Sequence, residues 1–200
     1  MKHIRRTFKH DKKIIEELRI SEFNRSTEFK LLKPEKLQWS SIDDENIVLA
    51  VFDDNGTAIS TMAGVTVHTL SEAENLTKCT VHKSVKFPAM IFASAATLST
   101  FRRTGLNQLI RYYLLLYGTT IDIKTFISPI YKNAPRSKFL KILGYEFVNP
   151  EKNWQTKLDL LSERQLGLLD VSKIPEVLFL IRNYKGNLLD EYPWQGTPLV

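Results

Sequence analysis

The sequence predicts an α/β (α+β) protein: one central, mostly antiparallel mixed sheet flanked by helices, with an additional C-terminal helical segment. Three observations predict it. Residues 47–52 form an apolar run, Asp53, Asp54, Asn55 and Gly56 supply a turn, and Ile59, Thr61, Ala63, Val65 and Val67 then alternate on one face, as in a β-hairpin. A fifteen-residue uncharged run, residues 87–101, hands over to Leu106, Leu109, Ile110, Tyr113, Leu114 and Tyr117 at helical spacing. Strand and helix signals interleave along the chain, an order that calls for helices packed on one sheet.

Residues 2–8 read as the first strand. A helix follows, which Asp11 is placed to cap and which carries Ile14, Ile15 and Leu18. Residues 24–41 hold Pro34 and Trp39 and read as an irregular connection. Beyond the hairpin, residues 71–86 are polar and charged and read as another. Residues 91–98 then form a strand of small side chains, and the helix after it stops at Gly118. Ile121, Ile123, Thr125 and Ile127 alternate as a further strand, and Pro135 stands near the first turn of a short helix that ends at Gly144. Residues 145–148 and 154–160 are the last strand candidates. Ser162 and Gln165 fit a capping box, and Ile174, Val177, Leu178 and Ile181 share one face of a helix. The tail, residues 183–200, reads as mostly irregular. The expected organisation is a core at residues 1–160 and a helical extension at residues 161–200 packed on the same domain.

At 200 residues, 43% hydrophobic and 25% charged, the composition is that of an ordinary globular domain. The single cysteine, Cys79, closes no internal disulfide and supports no cysteine-rich metal site, so a cytoplasmic protein without a metal is expected. No apolar run reaches spanning length, and no apolar segment follows the basic N-terminal stretch, so neither a transmembrane segment nor a cleaved signal is expected. The net charge of +6 fits several anionic partners. Nucleic acid is not expected among them, because the basic residues are spread out and no zinc-finger or RNA-binding signature is present.

The chemistry concentrates at residues 102–107, Arg-Arg-Thr-Gly-Leu-Asn, where the uncharged run meets the helix. A helix N-terminus offers unpaired N–H groups and a partial positive charge, glycine lets a ligand approach the backbone, and arginine adds fixed charge. That is a design for holding phosphate.

The turn and the element order together resemble the GNAT acyltransferase superfamily, whose signature Gln/Arg-x-x-Gly-x-Gly/Ala joins the fourth strand to the next helix. Arg102, Gly105 and Asn107 occupy those three positions, Asn107 standing where Gly or Ala is usual. Leu143, Gly144 and Tyr145 resemble the family's Leu-Gly-Phe, and the likeness extends over roughly residues 2–160. It implies a V-shaped opening beside the fourth strand, with a pantetheine arm paired to backbone groups near Thr97 and Leu98. The phosphates of coenzyme A, or of a carrier protein's prosthetic group, would lie on the N–H groups of Arg103, Thr104, Gly105, Leu106 and Asn107. Arg102 and Arg103 would offset their charge, and Asn133 would orient the donor or cap a helix.

Residues 39–45 and the run Ala95-Ala96-Thr97-Leu98-Ser99 are similar to the N-acyl amino acid synthases, relatives of the acyl-homoserine lactone synthases. That implies a long-chain donor, acyl-CoA or acyl carrier protein phosphopantetheine, and a small-molecule amine acceptor. Acyl carrier proteins are acidic, so a basic enzyme would gain association rate. A small-molecule acetyltransferase using acetyl-CoA and a catalytically silent donor-binding module are the alternatives.

Amide formation needs a deprotonated amine, a polarised thioester carbonyl and a proton for the leaving thiolate. The resemblance places acidic residues just before the second strand, which makes Asp44 and Glu45, with Asp43, the candidate bases; a solvated turn is the plainer use of such a run. His68 is a further candidate. The superfamily's usual acid is a tyrosine at the position of Leu140, leaving Tyr131, Tyr112 and Tyr113 as substitutes. Backbone N–H groups near Leu98 would polarise the carbonyl. Trp39 lines an acyl tunnel or packs in the core.

Overall fold

The computed structural model describes residues 1–25, 37–131, 134, 136–151, 164–184 and 187–199. Among them the strands are β1 (His3–Arg6), β2 (Ile47–Phe52), β3 (Ala58–Val67), β4 (Ala89–Thr97), β5 (Thr125–Tyr131), β6 (Glu146–Val148) and β7 (Arg164–Asp170). The helices are α1 (Lys12–Arg25), α2 (Ser41–Glu45), α3 (Leu70–Thr77), α4 (Leu106–Thr120), α5 (Arg136–Ile142), α6 (Ile174–Tyr184) and α7 (Leu188–Glu191). The strands form one sheet in the order β1-β2-β3-β4-β5-β7-β6. Only β4 and β5 run parallel; every other neighbouring pair is antiparallel.

The hairpin forms as its pattern predicts. Asp53 Oδ1 accepts from the N–H groups of Asn55 and Thr57, and Gly56 takes a φ of 76° that suits glycine. All six residues of β2 are buried, because the sheet is covered on both faces. One face carries α4, α5 and α6, whose Leu109, Leu114, Phe139 and Val177 pack with Leu49, Met90 and Phe126. The other carries α1 and α3, with Ile15 and Leu18 against Val48 and Val65, and Ala73 against Ile91 and Ile127. Each such aliphatic side chain contributes about 1.5–3 kcal/mol when fully buried.

Several expectations are corrected. Asp11 does not cap the helix from outside; it closes a 3-10 turn at Lys9–Asp11, accepting from the Phe8 N–H at 3.0 Å and from both Arg5 Nη atoms at 2.8 Å. Residues 71–86 are not merely a connection, since α3 lies within them, capped by the Thr69 side chain accepting from the Glu72 N–H. Gly118 does not stop α4, which continues to Thr120; a Cβ at Gly118 would lie 2.4 Å from Phe126, so the glycine lets helix and sheet touch. β5 begins at Thr125, after Asp122 turns the chain at a φ of 62°. Gln165 lies in a strand rather than a helix cap, while Ser162, Pro135 and residues 154–160 lie outside the described residues. The tail holds α7, and its Pro193–Gln195 segment straps the edge strand β1: the Ile4 N–H donates to Pro193 at 3.1 Å, and the Gln195 N–H donates to Ile4 at 2.9 Å.

The departure from a regular sheet lies between β4 and β5. They pair only from Ala89–Thr125 to Ile91–Ile127. Past that point Ala93 faces Ala63 and Ala96 faces Thr61, so β4 carries one residue more than β3 over this stretch. Ser94, at a φ of 51°, sits in this bulge, which bends β4 away from β5. The two strands therefore part like a V. Among the described residues no helix is long and apolar enough to cross a membrane.

Candidate functional site

The V opens into a cavity of about 1140 Å³. Its walls include Phe23 of α1 and Leu76 of α3 from one face of the sheet, and Leu106 of α4 and Phe139 of α5 from the other. The cavity therefore passes through the sheet where β4 and β5 have separated. The described wall carries five arginines, Arg25, Arg102, Arg103, Arg136 and Arg164, against one carboxylate, Glu22. Such a chamber favours an anionic ligand with an apolar part.

The 102–107 turn stands at its mouth. A 3-10 turn at Ser99–Phe101 ends β4, Arg103 adopts a φ of 66°, and Gly105 a φ of 99°. Gly105 is the N-cap of α4, so no side chain caps the helix, and no acid lies in its first turn. The first-turn N–H groups are thus left for a ligand. Arg102, Arg103, Gly105, Leu106 and Asn107 all line the cavity; Thr104 does not, its hydroxyl donating to Phe101 at 2.7 Å. The turn thus offers backbone N–H groups and arginine charge to an anion at the cavity mouth. Asn133 lies outside the described residues.

Arg102 is not left to the ligand alone. Its Nη2 donates to Glu22 Oε2 at 2.9 Å, and Arg25 donates to Glu22 Oε1 at 3.3 Å and to Ser99 Oγ at 2.6 Å. Glu22 is only 4% exposed, so this carboxylate is neutralised within the wall. Thr97 lines the cavity and shares a 2.8 Å hydrogen bond with Ser60. The Leu98 N–H donates to the Ile59 carbonyl at 2.9 Å and is not available to a thioester. Ser94 and Ala95, which have no register partner on β3, line the cavity.

Two of the three acidic residues are engaged elsewhere. Asp43 is buried, accepts from both Arg19 Nη atoms at 3.1 and 2.8 Å, and closes the start of α2 by accepting from the Ser40 N–H. Asp44 accepts from Trp39 Nε1 at 2.8 Å, and Trp39 packs in the core beside α1. Asp44 and Glu45 are exposed, and neither lines the cavity. His68 is likewise exposed and off the wall. Leu140 is buried in the core. Tyr112 and Tyr113 meet edge to face, Tyr113 also lies tilted against Trp194, and burial raises the Tyr113 pKa. Tyr131 lines the cavity, with the Arg164 guanidinium 5.8 Å from its ring centre. α6 packs mainly on α4, but its last residue, Tyr184, reaches the wall beside Phe139.

Glu22, Arg136 and Arg164 are wall residues that the sequence did not single out. The first two look like ordinary solvated helix charges. Arg164 begins a strand whose segment, Arg-Gln-Leu-Gly-Leu-Leu-Asp, lacks clear alternation. Among the described residues no group of three His, Cys, Asp or Glu side chains is placed to hold a metal.

No protein-family model matches the chain, and no curated protein matches it. Solved structures do. A CoA-dependent acyl-homoserine lactone synthase, BjaI, with MTA aligns over 99% of this chain and 95% of its own at TM-score 0.66 and 11% identity. An N-acetyltransferase from Staphylococcus aureus Mu50 aligns over 86% and 99% at TM-score 0.58 and 11% identity. Arabidopsis thaliana NAA60 in complex with acetyl-CoA aligns over 86% and 99% at TM-score 0.59 and 13% identity. With its mixed sheet, its splayed fourth and fifth strands and its uncapped helix at the arginine turn, the chain has the GNAT fold.

Proposed function

We propose that the protein is an N-acyltransferase that moves an acyl group from an acyl-thioester donor to an amine. The observation that carries this is the cavity crossing the sheet at the β4–β5 V, with the arginine turn at its mouth. The donor's phosphate rests on the first-turn N–H groups of α4, and its arm runs along β4 past Thr97. Its thioester reaches Ser94 and Ala95, whose N–H groups polarise the carbonyl. The acceptor's ammonium first loses a proton to water; the neutral nitrogen then forms the C–N bond as the C–S bond breaks, Tyr131 protonates the departing thiolate, and the second nitrogen proton passes through water to restore the Tyr131 hydroxyl.

The volume of about 1140 Å³ exceeds what drug-sized ligands fill. Room on this scale beside the donor's arm suits a long acyl chain better than acetyl. The positive wall and net charge suit acyl carrier protein as well as acyl-CoA as donor, in the cytoplasm.

The test is thiol release from acetyl-, octanoyl- and palmitoyl-CoA, and from the same chains on acyl carrier protein, against a panel of amines. The expected result is turnover that rises with chain length. A preference for acetyl-CoA supports the small-molecule acetyltransferase alternative, and binding without transfer shows a silent module. Arg103→Glu should weaken donor binding at least tenfold; unchanged affinity refutes the placement of the phosphate.

A further inference from the structure

Of the five wall arginines, Arg136 is placed differently. Arg25 and Arg102 meet Glu22, Arg103 belongs to the turn, and Arg164 donates to the Thr77 carbonyl at 3.0 Å. Arg136 begins α5 and reaches back to donate one hydrogen bond, at 3.0 Å, to the carbonyl of Pro129. Pro129 lies two residues past Ile127, the last residue of β5 paired with β4. The guanidinium therefore stands near the vertex of the V, where the two halves of the cavity meet. It carries five N–H donors in a planar fork.

Neither Arg136 nor its neighbour Arg111 meets a carboxylate among the described residues. Arg111 is 2% exposed and donates to the Tyr145 hydroxyl at 2.9 Å and to Ser128 Oγ at 3.4 Å, with its guanidinium 4.3 Å from the Phe92 ring centre. Two like charges thus lie close together, Arg136 on the cavity wall and Arg111 buried, with no carboxylate against either among the described residues, an arrangement that an arriving anion relieves. Burial, and after it the Arg111 charge, lowers the Arg136 pKa to about 10, so Arg136 stays cationic at neutral pH. Arg136 is enclosed by protein yet keeps accessible surface, because that surface is cavity wall.

The donor's phosphate belongs to the turn after β4, at the outer end of the V. An anion at the vertex lies beside the reacting carbon and belongs to the acceptor. We infer that Arg136, backed by Arg111, binds a carboxylate that the acceptor carries next to its amine, which makes the acceptor an amino acid rather than a simple amine. This rests on the acyltransferase proposal for the acceptor's role, but the site is tested by binding alone. A bidentate guanidinium–carboxylate contact holds the acceptor by its carboxylate and presents the adjacent nitrogen to the thioester.

The probes are N-dodecanoylglycine and N-ethyldodecanamide, which differ in a carboxylate replacing a methyl group. Titration calorimetry should show the carboxylate bound at least about tenfold more tightly by the wild-type protein. Arg136→Gln should bring the two affinities together while leaving the amide and the melting temperature unchanged, and Arg136→Lys should restore part of the preference. Equal affinities in the wild type, equal weakening of both probes in Arg136→Gln, or no binding of either overturns the inference. Thiol release separates the two proposals. If no donor and amine pair releases thiol while the carboxylate preference persists, the acyltransferase proposal fails and the site stands. If simple amines are acylated as fast as amino acids, the site fails and acyl transfer stands.

Discussion

Gly118→Ala sets two effects of opposite sign against each other. In a helix interior, alanine is favoured over glycine by about 0.8–1.0 kcal/mol. Against this, the new Cβ would lie 2.4 Å from Phe126 Cε1 and 2.6 Å from Cζ, where real Cβ contacts essentially never occur. Phe126 is fully buried and stacks on Phe92 at 6.0 Å between ring centroids, so the ring cannot swing into solvent. Overpacking of this kind costs about 1–3 kcal/mol, and the close approach places it at the upper end. The net expectation is a loss of about 1–2 kcal/mol. For a chain of this size that lowers the melting temperature by roughly 2–8 °C. Scanning calorimetry of Gly118→Ala reads it, and Phe126→Leu in the same chain should recover part of the loss through the shared contact. A melting temperature at or above wild type would refute the reasoning, because helix propensity would then outweigh the contact between α4 and β5.

Glu22→Gln removes the charge that neutralises Arg102 and Arg25. CoA should bind about two- to fivefold more tightly, with a steeper loss on adding salt, since one negative charge leaves an anion-binding wall; weaker binding would show that Glu22 instead orients Arg102 for the phosphate. Tyr131→Phe should lower kcat with little change in donor affinity, and unchanged kcat removes the hydroxyl from thiolate protonation. Asp170 accepts from the Ser172 N–H and hydroxyl and from Lys86, which together depress its pKa to about 2. Because the folded pKa lies below the unfolded one, near 3.8, its stabilisation is present above that value and is lost as pH falls towards 2. The melting-temperature gap between wild type and Asp170→Ala should therefore be flat from neutral pH to about 5 and narrow in more acid solution; a gap that stays constant throughout would refute the depressed pKa.

The elements that were legible in the sequence carry their cause locally. The hairpin depends on Asp53 and Gly56, and the β4-turn-α4 unit on Gly105 and the apolar spacing of α4. α3 was hidden because only Ala73 and Thr77 are buried, too few to make a stripe. β7 was hidden because it inserts between β5 and β6, out of chain order, and its Gly167 lies against the Phe147 ring rather than ending an element. The 102–107 turn at the cavity mouth could be read because it is contiguous. The rest of the site is assembled from α1, β4, β5, α5 and β7, and a lone Glu22 or Arg136 carries no local mark of what it will face. The acid run is contiguous too but lies off the cavity wall: Asp43 and Asp44 are clustered, and their partners Arg19 and Trp39 tie them to the scaffold.

The strap across β1 also bears on the order in which the protein is completed. Ile4 is translated well before its partners, so its hydrogen bonds to Pro193 and Gln195 wait for residues made far later. Contacts of such sequence separation form slowly, because the whole intervening loop must be closed first. During synthesis the outer edge of β1 is therefore open to any other extended chain, and only the finished tail removes that hazard. Residues that line no part of the cavity thus decide how long the nascent sheet stays vulnerable.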